Sequence, residues 1–396
     1  MKVLVSGASV AGPSVALWLG HAGHDVTVVE IAPALRQGGY AVDFRGEVFT
    51  KVLDRMGVLS DLRSLQTGGS GMRFVDASGR QLMRLPPEFS GGELEVLRAD
   101  LSRVLYEHSR AQATYRFGDT IAKLDEHADG VDVEFESGAK DTYDLVIGAD
   151  GMHSVVRRLA WPKERVVERH LNYYVGGWEV PNTLGISGDD SLMYNVPGKL
   201  ASVGADRRDP ALAQTLFVFK SPEMTYNRRD LDQQKAILRE HFTGLGWHVP
   251  ELLKGLPAAT ELYFDSISRV SVDRWSTDRI VLLGDAGYGA TFGALGTGTA
   301  VVGAYVLAGE LAQAGDDFRT AFDRYEARLR KSVSTTQDGS RAGSFMAPAT
   351  RFGLTARNRI LDIPFFKNQM IKMAQKMSEL IELPDYSGQE RKLVQE

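Results

Sequence analysis

A short glycine-rich turn between a strand and a helix constrains this chain more than any other feature. Residues 2–6 (KVLVS) are typical of a buried strand, Gly7-Ala-Ser-Val-Ala-Gly12 follows at once, and a helical pattern then leads into a second strand, residues 25–30 (DVTVVE). Gly7 permits the tight turn, and Gly12 lets the helix pack closely on the strand. The pattern therefore predicts a dinucleotide-binding βαβ unit.

The same unit supplies groups that a dinucleotide needs. The backbone of Ser9, Val10 and Ala11 at the helix N-terminus offers N–H groups and a partial positive charge to a pyrophosphate. Glu30 can accept hydrogen bonds from ribose hydroxyls, and its charge disfavours a 2′-phosphate, so the nucleotide is FAD or NAD. Ser9 stands where the usual motif has its middle glycine, and its side chain makes close approach of a phosphate to the backbone less easy.

Two later segments each end an apolar strand with an aspartate beside a glycine. They are residues 144–157 (DLVIGADGMHSVVR) and 280–286 (IVLLGDA). Open α/β sheets bind ligands at the carboxyl ends of their strands, so Asp150 and Asp285 are expected near the first turn. Asp285 suits the ribityl chain of a flavin, and Asp150 suits a network between flavin and pyridine nucleotide. The joint appearance of three such segments favours FAD.

The composition argues against several classes of protein. The 46 basic and 51 acidic residues give a formal charge of −5 without a Lys/Arg block, so nucleic acid is not an expected partner. The chain has no cysteine, which excludes disulfides, thiolate metal sites and a flavin tethered through sulfur. Because glycines and threonines interrupt the uncharged stretch 286–309, we expect a buried loop and helix there and no stable membrane insertion. A cytoplasmic monomer or homodimer without a metal site is the expectation.

The three motifs in this order, with Leu97-Arg98-Ala-Asp-Leu101 opening a helix, resemble the class A flavoprotein monooxygenases over roughly residues 1–345. The resemblance implies non-covalent FAD, transient reduction by NADPH or NADH, and O2 as co-substrate. It also implies hydroxylation of an aromatic or polyketide-like small molecule through a flavin hydroperoxide.

The resemblance assigns roles to particular residues. Arg98 is expected to contact the phosphate or ribose region of FAD, and Asp285 the ribityl and pyrophosphate part. Arg45, in the loop 39–46, is expected beside the isoalloxazine ring, where its charge could stabilise reduced, anionic flavin. The backbone expected against the ring belongs to Leu295, Gly296, Thr297 and Gly298.

The chain departs from the family in three places. Residues 287–292 (GYGATF) stand where the family often has a histidine and prolines, and Ile31 replaces an arginine that follows the ribose acid. The segment 178–181 (WEVP) carries only half of the tryptophan motif of flavin halogenases, so halogenation is not favoured.

We predict an α/β fold in which a Rossmann-type FAD-binding domain of the glutathione-reductase type is interrupted by an antiparallel β-sheet substrate domain. The FAD-binding domain is expected to comprise residues 1–70, 96–168 and 275–345, and the substrate domain residues 71–95 and 169–274. A helical segment, 346–396, completes the chain. Its apolar stripe, expected to pack over the pocket rather than dock on a membrane or partner, is Met370, Ile371, Met373, Met377 and Ile381.

Substrate contacts are expected from the aromatic strands of the insert. Trp178, Tyr194 and Phe217 are the candidates, although filling the core is an equally good interpretation for each. His153 is interpreted as a surface or structural residue rather than a base. Two alternatives to a monooxygenase stay open at this point, a flavin reductase or dehydrogenase of the same superfamily and a non-catalytic flavin-binding protein.

Overall fold

A computed structural model describes residues 1–36, 38–188, 190–206, 208–291, 296–338, 342–378 and 381–386. The strands of this part of the chain are β1 (Lys2–Ser6), β2 (Asp25–Glu30), β3 (Ala41–Phe44), β4 (Gly71–Val75), β5 (Gln81–Leu85), β6 (Leu94–Leu97), β7 (Ala113–Phe117), β8 (Ile121–His127), β9 (Gly130–Phe135), β10 (Lys140–Tyr143), β11 (Leu145–Gly148), β12 (Val166–Gly177), β13 (Glu179–Pro181), β14 (Asp190–Val196), β15 (Lys199–Ala205), β16 (Leu212–Lys220), β17 (Tyr263–Val272) and β18 (Ile280–Leu282).

The helices run between and after these strands. They are α1 (Ala11–His21), α2 (Glu47–Arg55), α3 (Leu59–Ser64), α4 (Pro87–Ser90), α5 (Arg98–Ser109), α6 (Val155–Ala160), α7 (Leu231–Phe242), α8 (Val249–Gly255), α9 (Asp285–Tyr288), α10 (Gly296–Ala314), α11 (Phe318–Asp338), α12 (Ala342–Met346), α13 (Arg351–Asp362) and α14 (Pro364–Ser378). Within the described residues, no helix combines the length and the apolar character needed to cross a bilayer.

A parallel sheet of order β18-β11-β1-β2-β7 forms the centre of the nucleotide-binding half. Strands β11 and β18 are apolar and buried along their whole length, as expected of a parallel sheet with both faces covered. The predicted order of strand, turn, helix and strand is confirmed by β1, α1 and β2. Since β1, β11 and β18 are neighbours and parallel, their carboxyl ends lie side by side.

A larger, mainly antiparallel sheet has the order β17-β12-β16-β15-β14-β4-β5, with β13 paired to β16. One pair, β4 with β14, is parallel, which the predicted antiparallel sheet did not include. A parallel pair needs a long crossover, and here more than one hundred residues, which include the strands β5 to β13, separate the two strands. The sheet is therefore assembled from two distant parts of the chain.

Different helices cover the two faces of this large sheet. On one face, Phe217 packs with residues of α7 and α8, such as Leu238 and Leu252, in one apolar cluster. On the other face, Tyr173 and Val175 pack with Leu361 of α13. Met370 of α14 lies against the second cluster, whereas Ile381 is buried in the core of the nucleotide-binding half. The side chains of the other members of the predicted apolar stripe, Ile371, Met373 and Met377, lie outside the described part of the structure, so its packing over the pocket stays a prediction.

Two small sheets complete the fold. Strands β8, β9 and β10 form an antiparallel sheet, and the turn between β8 and β9 lies at the Asp129-Gly130 signal. Strands β3 and β6 pair with each other, which places the segment before Arg45 next to the segment before Arg98. Because the pair is antiparallel, Arg98 leaves it beside Tyr40, whose carbonyl oxygen accepts the Arg98 N–H at 3.1 Å, and Arg45 leaves it at the opposite end.

Candidate active site

The glycine-rich turn is closed by contacts that leave no room for side chains. Gly7 has a φ of +105°, and a Cβ there would lie 2.5 Å from the carbonyl oxygen of Ala149. A Cβ at Gly12 would lie 1.8 Å from the carbonyl oxygen of Gly7. The turn, the start of α1 and the loop after β11 therefore form one compact unit, as the sequence predicted for both glycines.

Glu30, at the end of β2, is tied to the turn. One oxygen of its carboxylate accepts a hydrogen bond from the Ala8 N–H at 2.8 Å, and the other accepts from the Ala32 N–H at 3.0 Å. No side chain in the described structure caps α1 at Val10, so the N-terminus of this helix keeps its anion-binding character. A carboxylate and a helix end that suits an anion thus lie next to each other.

Asp150 lies just after β11 and uses one carboxylate oxygen structurally. Its Oδ2 accepts hydrogen bonds from the N–H groups of Val155 at 2.8 Å and Val156 at 3.2 Å, and from the Ser6 hydroxyl at 3.3 Å. Its Oδ1 is buried and has no hydrogen-bond partner among the described residues. Burial raises the pKa of Asp150. An unsatisfied buried oxygen beside the turn is an observation that fits a bound polar ligand.

Asp285 follows β18 and faces the cation of Arg98. Burial raises the pKa of Asp285, and the charge of Arg98 acts in the opposite direction. Gly284 before it has a φ of +65°, and a Cβ there would lie 3.4 Å from Cβ of Ala11 and 3.1 Å from Cβ of Ala300. The third motif is thus packed directly between α1 and α10.

Arg98 is the first residue of α5 and connects the turn with Asp285. Its guanidinium is exposed and donates a hydrogen bond to the Ser9 hydroxyl at 3.3 Å. A Cβ at Gly39 would lie 3.4 Å from Cβ of Arg98, so the loop before β3 passes close to the arginine. The structure brings together the turn, Glu30, Arg98 and the loops of Asp150 and Asp285.

The start of α10 lies next to Asp285. A Cβ at Gly296 would have Oδ1 of Asp285 as its nearest neighbour, at 3.9 Å, and Thr297 beside it is half-buried. Gly298 is buried, and a Cβ there would come within 2.6 Å of the Phe49 ring. Leu295 lies outside the described residues.

Arg45, at the end of β3, is held by two partners. Its guanidinium pairs with the carboxylate of Asp43 and donates a hydrogen bond to the carbonyl oxygen of Phe89 at 2.9 Å. These contacts fix the side chain at the junction of β3 and α4. A contact of Arg45 with the flavin ring stays a prediction.

The unusual loop after Asp285 is built into the core. Tyr288 is buried, its hydroxyl lies 3.0 Å from that of Tyr325, and its ring lies 4.3 Å from the ring of Trp275. Burial raises the pKa of Tyr288 to about 12. The Thr291 N–H donates to the carbonyl oxygen of Ser268 at 2.9 Å, which fastens the loop to β17. The departure from the family pattern is therefore accommodated by packing.

The structure adds residues that the sequence did not single out. The ring of Tyr263, in β17, packs edge-on against Tyr40 at 5.7 Å and is close enough to Arg98 and Asp285 to interact with their charges. The Tyr40 hydroxyl donates to the carbonyl oxygen of Thr215 at 2.8 Å and so joins the loop before β3 to β16 of the large sheet. No spacing in the sequence connects these tyrosines, because only the packing of the sheets brings them together.

His153 also bridges the two halves of the protein. Its Nε2 lies 3.1 Å from each carboxylate oxygen of Asp265 in β17. This partner agrees with the interpretation of His153 as a structural residue.

The three candidate substrate residues lie in a packed region. Trp178 is 2% exposed and Phe217 is fully buried, and their ring centroids are 4.7 Å apart. The Tyr194 ring stacks on Trp247 at 5.5 Å. All three belong to the cluster beneath α7 and α8, on the face of the sheet opposite to Tyr173. Whether they contact substrate stays a prediction.

The parallel sheet, the glycine-rich turn and the carboxylates at its edge define an FAD-binding oxidoreductase fold. The family model for an FAD binding domain matches residues 1–339. The chain belongs to this family, and its relatives identify it as a class A FAD-dependent monooxygenase.

Similar proteins cover nearly the whole chain. A flavin-dependent monooxygenase of Legionella longbeachae is 37% identical over 342 residues, which are 85% of this chain and 87% of that protein. Another flavin-dependent monooxygenase, from an unknown prokaryotic organism, is 36% identical over 392 residues, 97% of this chain and 99% of that protein. The crystal structure of tetracycline destructase Tet(51) superposes with a TM-score of 0.85 at 32% identity and covers 97% of this chain and 98% of its own.

Proposed function

We propose that this monooxygenase uses NADPH or NADH and O2 to hydroxylate an aromatic or polyketide-like small molecule. The observation that carries the proposal is the convergence of Arg98, Asp285 and Glu30 on the N-terminus of α1. Bound FAD supplies the activation of oxygen, so the protein needs no catalytic triad of its own. What its side chains contribute is position, charge and exclusion of water.

Each described residue at the site has a definite task in this proposal. The backbone of Ser9, Val10 and Ala11 binds the pyrophosphate, with Gly7 and Gly12 shaping the turn, and Glu30 accepts hydrogen bonds from the ribose. Arg98 neutralises phosphate charge, Asp285 holds the ribityl chain, and Oδ1 of Asp150 receives its missing hydrogen bond from the ligand. The backbone of residues 296–298 lies against the ring. Arg45 stabilises negative charge on the reduced ring.

The substrate class rests on a relative and on the shape of the fold. Tet(51) is named for tetracycline, a fused-ring polyketide, and its fold matches along nearly the full length. Strand β17 of the large sheet lies next to the proposed flavin site, because Tyr263 packs against Tyr40 and the Thr291 N–H donates to the carbonyl oxygen of Ser268. Trp178, Tyr194 and Phe217 are the proposed substrate contacts, and the alternative role of each buried ring is to fill the core.

The organisation of the molecule is part of the proposal. We assign residues 1–70, 96–168 and 275–345 to the FAD-binding domain, 71–95 and 169–274 to the substrate domain, and 346–396 to a helical segment. We also propose a monomer or homodimer in the cytoplasm, because NAD(P)H is available there and a chain without cysteine needs no oxidising compartment.

The test is a spectrum of the purified protein followed by addition of NADPH or NADH in air with a panel of aromatic and polyketide compounds. We expect flavin absorbance, reductant and O2 consumption stimulated by one compound, and a product heavier by one oxygen atom. A reduced product formed without matching O2 consumption would identify a flavin reductase instead. A flavin that no reductant reduces with any compound present would support a non-catalytic flavoprotein.

A further inference from the structure

Large apolar side chains are exposed at one place more than elsewhere in the described structure. Phe352 is 82% exposed and Phe365 is 70% exposed, and Ile360, Ile363 and Phe366 are each between 44% and 47% exposed. These five residues, which we call the α13–α14 patch, are half of the ten large apolar residues exposed in the described part of the chain, yet they span only fifteen positions. Clustered exposure of this kind marks an interaction surface.

The helical periodicity of α13 separates two faces. Leu361 is buried among the residues of the large sheet, and Arg357 points to the same side. At about 100° per residue, Arg359 falls on the opposite side, within about 20° of Phe352, and Ile363 follows as the C-cap residue of the helix. The α13–α14 patch therefore faces away from the body of the protein.

The helix that carries the patch is firmly anchored. The Thr350 hydroxyl accepts a hydrogen bond from the Gly353 N–H at 3.0 Å and caps the first turn. The Arg357 guanidinium lies 4.4 Å from the centroid of the Phe74 ring and donates to Oδ1 of Asn195 at 2.8 Å. Burial lowers the pKa of Arg357 only to about 10, so it remains a cation at neutral pH. The exposed face is thus presented by a fixed helix.

The charge around the patch selects its partner. Residues 351–378 contain six basic residues and one acidic residue, although the whole chain has a formal charge of −5. Arg351, Arg359 and Lys372 are exposed. We propose that the α13–α14 patch docks on the surface of an anionic lipid bilayer, with its apolar side chains in the headgroup boundary and its cations against the lipid phosphates. The contact is peripheral, since neither helix is long enough to span.

A second copy of this chain is a poorer occupant of the same face. A twofold interface would place each patch against its own equivalent, so Arg351 and Arg359 would approach the same cations of the partner. Like charges brought together in this way oppose association. An anionic surface satisfies both the apolar and the basic character of the patch.

The proposal is tested by sedimentation of the FAD-loaded protein with vesicles of phosphatidylcholine alone or with about 30% phosphatidylglycerol, at low and high salt. We expect binding to the anionic vesicles that weakens with salt, because screening reduces the contribution of the cations. Replacing Phe352→Ser and Phe365→Ser together should lower the partition coefficient at least about tenfold. Arg359→Glu should lower it at least about fivefold, since each basic residue near such a surface contributes about this factor.

Matched controls are Val167→Ser, which removes an exposed apolar side chain on β12, and Lys123→Glu, which reverses an exposed charge on β8. Both should bind vesicles like the unmodified protein, and all variants should retain the flavin spectrum and melting temperature. Absence of binding to anionic vesicles at low salt would overturn the proposal. Equal binding to both vesicle types would also overturn it. A third contrary result would be a protein that binds no vesicles and forms a dimer, which the Phe352→Ser and Phe365→Ser double variant converts to a monomer.

Discussion

The guanidinium of Arg98 donates a hydrogen bond to the hydroxyl of Ser9 at 3.3 Å. The residue that replaces the middle glycine of the turn is therefore oriented by the cation proposed to bind the FAD phosphates. Arg98→Ala should weaken FAD binding about tenfold to a hundredfold, since charge-assisted hydrogen bonds of this kind each contribute about 1.5–3 kcal/mol. Titration of the apoprotein followed by flavin fluorescence measures the dissociation constant.

The same titration on Ser9 variants tests how the serine is tolerated. Ser9→Gly should bind FAD within about threefold of the unmodified protein, because it restores the smallest residue and leaves Arg98 free for phosphate. Ser9→Val should bind far more weakly, since a β-branched side chain there obstructs the approach of phosphate. Equal affinities for all three proteins would show that FAD does not approach this turn.

Gly296 and Gly298 form a matched pair for the proposed contact between backbone and flavin ring. Gly298→Ala should lower the free energy of unfolding by about 1–3 kcal/mol, because the new methyl would meet the buried Phe49 ring 2.6 Å away. Gly296→Ala has 3.9 Å to its nearest neighbour and should melt like the unmodified apoprotein. We expect it nevertheless to bind FAD at least about tenfold more weakly. Unchanged FAD affinity for Gly296→Ala would contradict the proposed contact.

Arg45 is proposed to stabilise the reduced, anionic flavin. Arg45→Ala should lower the two-electron midpoint potential of bound FAD by about 30 mV or more, which corresponds to a tenfold change in the equilibrium between oxidised and reduced forms. Potentiometric titration against a reference dye measures this shift. Arg84→Ala, which removes a cation on the outer strand β5, is the control and should leave the potential unchanged.

The raised pKa of Asp285 makes the stability of the apoprotein depend on pH. The folded protein binds more protons than the unfolded chain at pH values between the ordinary aspartate pKa of 3.8 and the raised one, so stability falls as the pH rises through that window. Asp285→Asn removes the free-energy cost of ionising the buried carboxyl group and should raise the melting temperature of the apoprotein at pH 7.5 by about 2 °C. The difference from the unmodified protein should disappear as the pH falls toward 3.8.

The same substitution has an opposite effect on the cofactor. Asp285→Asn should weaken FAD binding at pH 7.5, because the ribityl hydroxyls lose a carboxylate acceptor. A variant that is both less stable without FAD and unchanged in FAD affinity would show that Asp285 has a purely structural role.

Phe217 and Phe242 separate a substrate contact from a contribution to the core. Both rings are fully buried, and their centroids are 4.5 Å apart. Phe217→Leu and Phe242→Leu should each lower the free energy of unfolding by about 1–2 kcal/mol, as measured by urea denaturation. If Phe217 also contacts substrate, only its variant should raise KM. An unchanged KM in both variants would assign Phe217 to the core alone.

The local elements of the nucleotide-binding half could be predicted because each depends on near neighbours in the chain. Glycine spacing identified the turn at Gly7 and Gly12, and the apolar runs before Asp150 and Asp285 identified the strands that deliver them. Resemblance to a family then named FAD, which the family model confirms, and monooxygenation, which the flavin-dependent monooxygenase relatives confirm. The second partner of the carboxylate of Glu30, the N–H of Ala32, was not predictable, since a backbone contact leaves no pattern in the sequence.

The sequence by itself determined the turn, the three motifs and the class of cofactor, because these reside in short segments whose residue types have few structural solutions. Only the tertiary structure decided which distant residues meet. Tyr40 and Tyr263 are more than two hundred positions apart, and more than one hundred residues separate the parallel pair β4 and β14. Trp178 and Phe217 show the same limit, since strand alternation gives two faces but not the helices that cover them. Such contacts depend on how sheets and helices pack as whole surfaces. The free energy of that packing is spread over many side chains, so no single spacing in the sequence predicts it.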